Sequence, residues 1–216
     1  MTSPELVSLF ISAFVTLFVV IDPPGCAPIF AGLTSDASPA QAKDMAKRAC
    51  FIAACILFTF ALFGERLLTA LHIELNSFRI AGGIMLFLIA LEMVFEKRTQ
   101  RRNERAEKVR ARHDETPEID DVSVFPMAMP MLAGPGSIAT MMLLMSRAQG
   151  TQATLVILAA LAAVLLLSLM ALIAARPLMR LMGDQVEAVI TRLLGVLLAA
   201  LAAQYVIDGV RTAILD

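Results

Sequence analysis

Apolar residues fall in six long runs along this chain, over about residues 6–33, 46–63, 78–95, 122–146, 153–175 and 191–209, and polar residues collect between them. Each run is near the length a helix needs to cross a hydrocarbon core, about 20 residues. The pattern predicts an all-α polytopic membrane protein with six transmembrane helices. The first run is too long to stand upright, since its 28 residues as straight helix would span roughly 42 Å at about 1.5 Å each. It must tilt, kink or partly unwind.

The place to unwind is written into the run as Asp22-Pro23-Pro24-Gly25-Cys26-Ala27-Pro28. A proline removes a backbone donor, and its ring collides with the carbonyl four residues back. In lipid no water satisfies what is freed, so such a break needs protein or a wet cavity around it. The fourth run carries a second break, Ala133-Gly134-Pro135-Gly136-Ser137, with Pro135-Gly136 lying 111 residues after Pro24-Gly25. Phe78-Arg79-Ile80-Ala81-Gly82 and Thr191-Arg192-Leu193-Leu194-Gly195 match at a similar offset of 113. Each half therefore holds three spans: one broken, one plain, one opening on Arg and Gly. Three spans per half force the halves to be inverted relative to each other. The expected organisation is a three-helix repeat over 1–95, a charged linker over 96–121 and a second repeat over 122–216, with helices 1 and 4 broken. Discontinuous helices in inverted repeats are where many secondary transporters bind solute and ions.

Composition agrees with a membrane solvent. The 216 residues are 58% hydrophobic and 17% charged, with mean hydropathy +0.77, against about 45–50% and about 25% in soluble domains. Charge is segregated. Lys43, Lys47 and Arg48, the eight Lys and Arg of the central loop, and Arg176, Arg180 and Arg192 would share one side, against Arg66, Arg79, Arg147 and Arg211 on the other. The positive-inside rule then places both termini on the periplasmic or outer face. No Lys or Arg precedes Lys43, so a cleaved signal peptide is not expected. Cys26, Cys50 and Cys55 all lie in apolar runs and read as small fillers rather than a disulfide framework. The basic loop has no aromatic residue on which a base could stack, which argues against nucleic-acid binding.

The chemistry concentrates at the breaks. A helix restarting after a break has N–H groups without intrahelical partners and a positive dipole end. The candidate donors are Gly25, Cys26 and Ala27 in one half and Gly136, Ser137 and Ile138 in the other. Together they suit a carboxylate or another small anion, while carbonyls near Ile21 and Ala133 suit an ammonium group or cation. Asp22 has two readings, a proton or cation site and a cap on the following half-helix; one side chain can serve both. Ser137, Thr140 and Gln204 can line a cavity or bond between helices. The candidate substrate-binding set is Asp22, Pro24, Gly25, Cys26, Gly134, Pro135, Gly136, Ser137 and Thr140. No His-Glu-x-x-His, Gly-x-Ser-x-Gly or P-loop pattern occurs, so neither an enzyme nor an ATP-driven pump is expected, and no cofactor or metal is called for.

The two breaks in context, Asp22-Pro23-Pro24-Gly25 with Pro28-Ile29-Phe30 and Phe125-Pro126 through Met129-Pro130 to Ala133-Gly134-Pro135-Gly136, resemble the signature of the MarC family of integral membrane proteins. The resemblance continues through Ala81-Gly82-Gly83-Ile84 and Gln204…Asp208-Gly209; Pro24 and Cys26 depart from the more usual pattern beside the glycine. It implies six spans in a fold related to the LysE-type transporters, in a bacterial inner membrane, with small neutral amino acids such as glycine and alanine as solutes of some members. The expectation is a secondary transporter of a small zwitterionic solute with proton or sodium coupling, working in the lipid bilayer alone or as a homo-oligomer. The alternatives are a scaffold for a partner complex and an exporter of another small metabolite.

Overall fold

The computed structural model describes residues 2–95 and 121–215, with backbone alone over 178–188 and at Leu215. The linker expected over 96–121 lies outside the described residues except for Asp121. All described regular structure is helical. The first apolar run gives α1 (Ser3–Ile21) and α2 (Pro23–Leu33), parted by Asp22 alone. Then come α3 (Pro39–Ala70) and α4 (Leu75–Val94). The second half opens on a wide coil, α5 (Ser123–Leu132), followed by α6 (Pro135–Ser146), α7 (Gly150–Ile173) and α8 (Ala175–Leu215).

Local chemistry explains most of these limits. Pro23 and Pro24 occupy the first positions of α2, where a missing N–H costs nothing. Ser38 caps α3 in a capping box with Gln41, and Pro39 takes its first position. In α5 the residues before Pro126 and Pro130 are extended, Phe125 at φ −127° and Met129 at φ −129°, so the coil is interrupted twice. One expectation changes. The second apolar run, 46–63, reads as ending at Gly64-Glu65-Arg66, but α3 runs on through them to Ala70 and the piece after it is a short turn. Gly64 is needed for packing, since a Cβ there would lie 2.7 Å from Met142 Cγ of α6.

Five spans are long and apolar enough to cross a membrane: Ser3–Leu33, Pro39–Ala70, Leu75–Val94, Gly150–Ile173 and Val189–Ile214. The pair α5–α6, bent by 50°, makes a sixth if it crosses as one unit. Phe51, Leu166, Leu193 and Ile214 are among many large apolar residues left exposed on the outside, as a lipid-facing surface requires. The inside is built in two clusters. One gathers α1, α2, α3 and α7 around Leu17, Ile21, Phe30, Leu57, Ile157 and Leu161. The other joins the end of α1 to α4 and α8 through Val20, Leu86, Met93, Leu198 and Tyr205.

Helices α4 and α8 lie antiparallel and very close, because glycine takes the contact positions. A Cβ on Gly83 would sit 2.9 Å from the Ala202 carbonyl, one on Gly195 3.1 Å from the Ala90 carbonyl, and one on Gly209 3.1 Å from the Asn76 carbonyl. Backbone cannot retreat as a side chain can, so these glycines fix the approach. The Arg-Gly segments matched in sequence lie at opposite ends of this antiparallel pair, Gly195 against Ala90 and Met93 and the start of α4 against Gly209.

Candidate functional site

Asp22 is the hinge of the first break. Its backbone is left-handed (φ 58°, ψ 63°), and its N–H still donates to Phe18 O, closing α1. Its Oδ1 accepts the Gly25 N–H at 3.1 Å, opening α2, and it is only 1% exposed. The Cys26 N–H donates to the Asp22 carbonyl. The donors expected at Gly25 and Cys26 are therefore already taken, and a carboxylate of the protein itself occupies the positive end of α2. The carbonyl expected to be free at Ile21 receives the Cys26 thiol at 3.5 Å. Pro24 supplies a carbonyl instead, because Pro28, four residues on, has no N–H to give it. The first break is thus rich in acceptors and negative charge.

The second break is its chemical opposite. Gly134 stands before α6 with extended backbone and no capping side chain, and Pro135 follows at the first helical position. Ile138 N–H returns to Gly134 O, so that expected donor is also taken. The N–H groups of Gly136 and Ser137 find no acceptor among the described residues. One turn further, Thr140 Oγ1 is fully buried and has no hydrogen-bond partner among the described residues. Gly134 is held tightly: a Cβ on it would overlap the Pro130 carbonyl. Gly136, Ser137 and Thr140 are buried, whereas Pro135 is exposed.

The two breaks are neighbours. A Cβ on Gly136 would overlap Ile89 Cδ1 of α4 and lie 3.6 Å from Val20 Cγ1, two residues before Asp22. Asp22, Gly25 and Cys26 are buried on the α2 side, with Pro24 half-buried. Gln204, a candidate cavity residue, is exposed and donates to Asp208 Oδ1 at 2.7 Å. Asp208 also pairs with Arg147 at 2.6 Å, and the Arg147 guanidinium lies 4.5 Å from the Tyr205 ring. This cluster ties the end of α6 to α8 and was not legible from spacing. A second ion pair, Arg48 with Asp121 at 2.7 Å, ties α3 to the start of α5. The neighbouring Ser123, whose N–H donates to Asp121 Oδ1 at 3.0 Å, and then Arg48 hold the Asp121 carboxyl below the usual carboxylate range. No group of three or more His, Cys, Asp or Glu able to hold a metal occurs among the described residues.

A bundle of long apolar helices with lipid-facing sides and buried, polar helix breaks is a multi-pass integral membrane protein. Its particular kind follows from sequence. The description of MarC family integral membrane proteins matches residues 7–214, and the chain belongs to that family. It is 36% identical to a UPF0056 membrane protein of Methanocaldococcus jannaschii, over 95% of this chain and 98% of the relative. It is 34% identical to a UPF0056 membrane protein of Archaeoglobus fulgidus, over 94% and 92%. It is 30% identical to the UPF0056 inner membrane protein YhgN of Escherichia coli, over 93% and 95%. No solved structure matches.

Proposed function

We propose that this protein is a secondary transporter of a small zwitterionic solute, a neutral amino acid such as glycine or alanine, across the inner (plasma) membrane. The observation that carries the reading is the juxtaposition of two opposite helix breaks. The open N–H groups of Gly136 and Ser137, with the unpartnered Thr140 hydroxyl, suit the solute carboxylate. Asp22 and the Pro24 carbonyl suit its ammonium group or the coupling proton or sodium ion. Gly25, Cys26, Gly134 and Pro135 shape the backbone around them.

The way the helices pair supports an inverted repeat of six spans. α1 packs on α7 as α5 packs on α3; α2 packs on α7 as α6 packs on α3; α2 packs on α8 as α6 packs on α4. Exchanging the halves reproduces the set, and α4 and α8 are antiparallel partners. On this reading a pseudo-two-fold in the membrane plane puts both termini on the same side, and the segregation of Lys and Arg supports the outer face.

Uptake of labelled glycine and alanine into proteoliposomes, under imposed proton or sodium gradients, tests the reading. Thr140→Val is the proper control, because Gly136→Leu would collide with Ile89 and disturb the fold. Gradient-driven uptake lost in Thr140→Val is the expected result. Absence of uptake of both solutes by folded wild-type protein under either gradient would overturn it.

A further inference from the structure

A cavity of about 330 Å³ lies away from the helix breaks, where the end of α2, the first turn of α3, the end of α7 and the first turn of α8 meet. Its walls are apolar at Phe30, Leu172 and Ile173, and its charges are Lys43 and Arg176. No acid lines it. Arg176 is held in place through Nη2, which donates to the carbonyls of Thr34 and Ala37. Its remaining N–H groups, like the Lys43 ammonium, have no hydrogen-bond or ion-pair partner among the described residues. Two of the carbonyls at the end of α2 that would oppose this positive field are already hydrogen-bonded. Phe30 O accepts the Thr34 hydroxyl at 2.7 Å, and Thr34 O accepts Arg176. The positive ends of α3 and α8 meet the negative ends of α2 and α7 here and offset them, so the positive field comes from Lys43 and Arg176.

The level of this cavity fixes what can enter. The apolar span of α7 ends at Ile173, and Ile173 is 44% exposed on the outside of the bundle. The cavity therefore sits where hydrocarbon gives way to headgroups. We infer that it binds an anionic glycerophospholipid, with the phosphate between Lys43 and Arg176 and the first methylenes of an acyl chain along Phe30, Leu172 and Ile173. Basic pockets between membrane helices are suited to such headgroups. The volume is at the low end of ligand sites, about 300–1,000 Å³, so it holds a headgroup and the start of a chain while the rest follows the outer surface. This inference is independent of the transport reading.

The test titrates short-chain phosphatidylglycerol, phosphatidylcholine of equal chain length and sn-glycerol 3-phosphate onto the delipidated full-length protein, with bound lipid counted by native mass spectrometry. Phosphatidylglycerol should bind at least about tenfold more tightly than phosphatidylcholine. Lys43→Gln, an exposed change that breaks no contact, should weaken it at least about threefold, and Ala42→Phe should block it by filling the wall. Equal retention of both lipids, undiminished binding in both variants, or saturation by sn-glycerol 3-phosphate at the same concentration would each overturn the proposal.

Discussion

At the scale of residues, Asp22 does two jobs that can be separated by substitution. Asparagine keeps the oxygen that accepts Gly25 N–H and tolerates the left-handed backbone, but it carries no charge. Asp22→Asn should keep thermal stability close to wild type and lose coupled uptake. Alanine loses the cap, about 0.5–2 kcal/mol, and adds roughly 1–2 kcal/mol for the left-handed backbone. Asp22→Ala should therefore melt clearly lower, as a thermal-unfolding series in detergent would register. Thr140 makes the opposite prediction. A buried hydroxyl without a partner costs about 1–3 kcal/mol, so Thr140→Val should be as stable as wild type or more so while losing solute. A Thr140→Val protein that melts lower would mean the hydroxyl has a structural partner in the resting protein. Asp121 gives the pH test. Its folded pKa lies below the ordinary 3.8, so its contribution is present in full above that value and is lost as pH falls through the lowered one. Because the pair is exposed, the gain is at most about 1 kcal/mol. Asp121→Asn should lower the melting temperature slightly at pH 7, with the difference shrinking as pH falls through the lowered pKa.

At the scale of elements, what the sequence made legible was what proline and glycine alone decide. Pro23 and Pro24 announce a helix restart, Ser38-Pro39 announces the start of α3, and Gly82-Gly83 announces a close helix partner. Each rests on one residue's own backbone chemistry. The cap of Asp22 on Gly25 was one of two open readings, since it depends on a left-handed turn that no composition fixes. The double interruption of α5 was hidden because proline spacing alone does not say which residue before it extends. Gly64 misled for a related reason: the same absent side chain that ends helices also admits Met142. The ion pair Arg48–Asp121 spans 73 positions, and periodicity carries no signal at that separation. The α4–α8 contact yields its own prediction. Gly195→Val places methyl groups against the Ala90 carbonyl and Met93, and overpacking of this kind costs about 1–3 kcal/mol. The variant should unfold at lower temperature, whereas Ala81→Val on the exposed side of α4 should not.

At the scale of the whole molecule, the proposed arrangement is of two halves that exchange roles about an axis in the membrane. Reporter fusions test that arrangement directly: fusions at residues 1 and 216 should report the outer side and a fusion near residue 110 the inside. Opposite sides for the two termini would break the inverted repeat. The two breaks differ in charge, since α2 begins on a carboxylate and α6 begins on open N–H groups. That asymmetry is what a zwitterion requires, and it is the central claim. Equilibrium binding of labelled glycine and alanine to purified protein, compared with Thr140→Val and Asp22→Asn, tests it most directly. The account predicts saturable binding to wild type and at least about tenfold weaker binding to each variant, both still folded. Binding that is unchanged in the two variants, or absent from folded wild type for both amino acids, would contradict it.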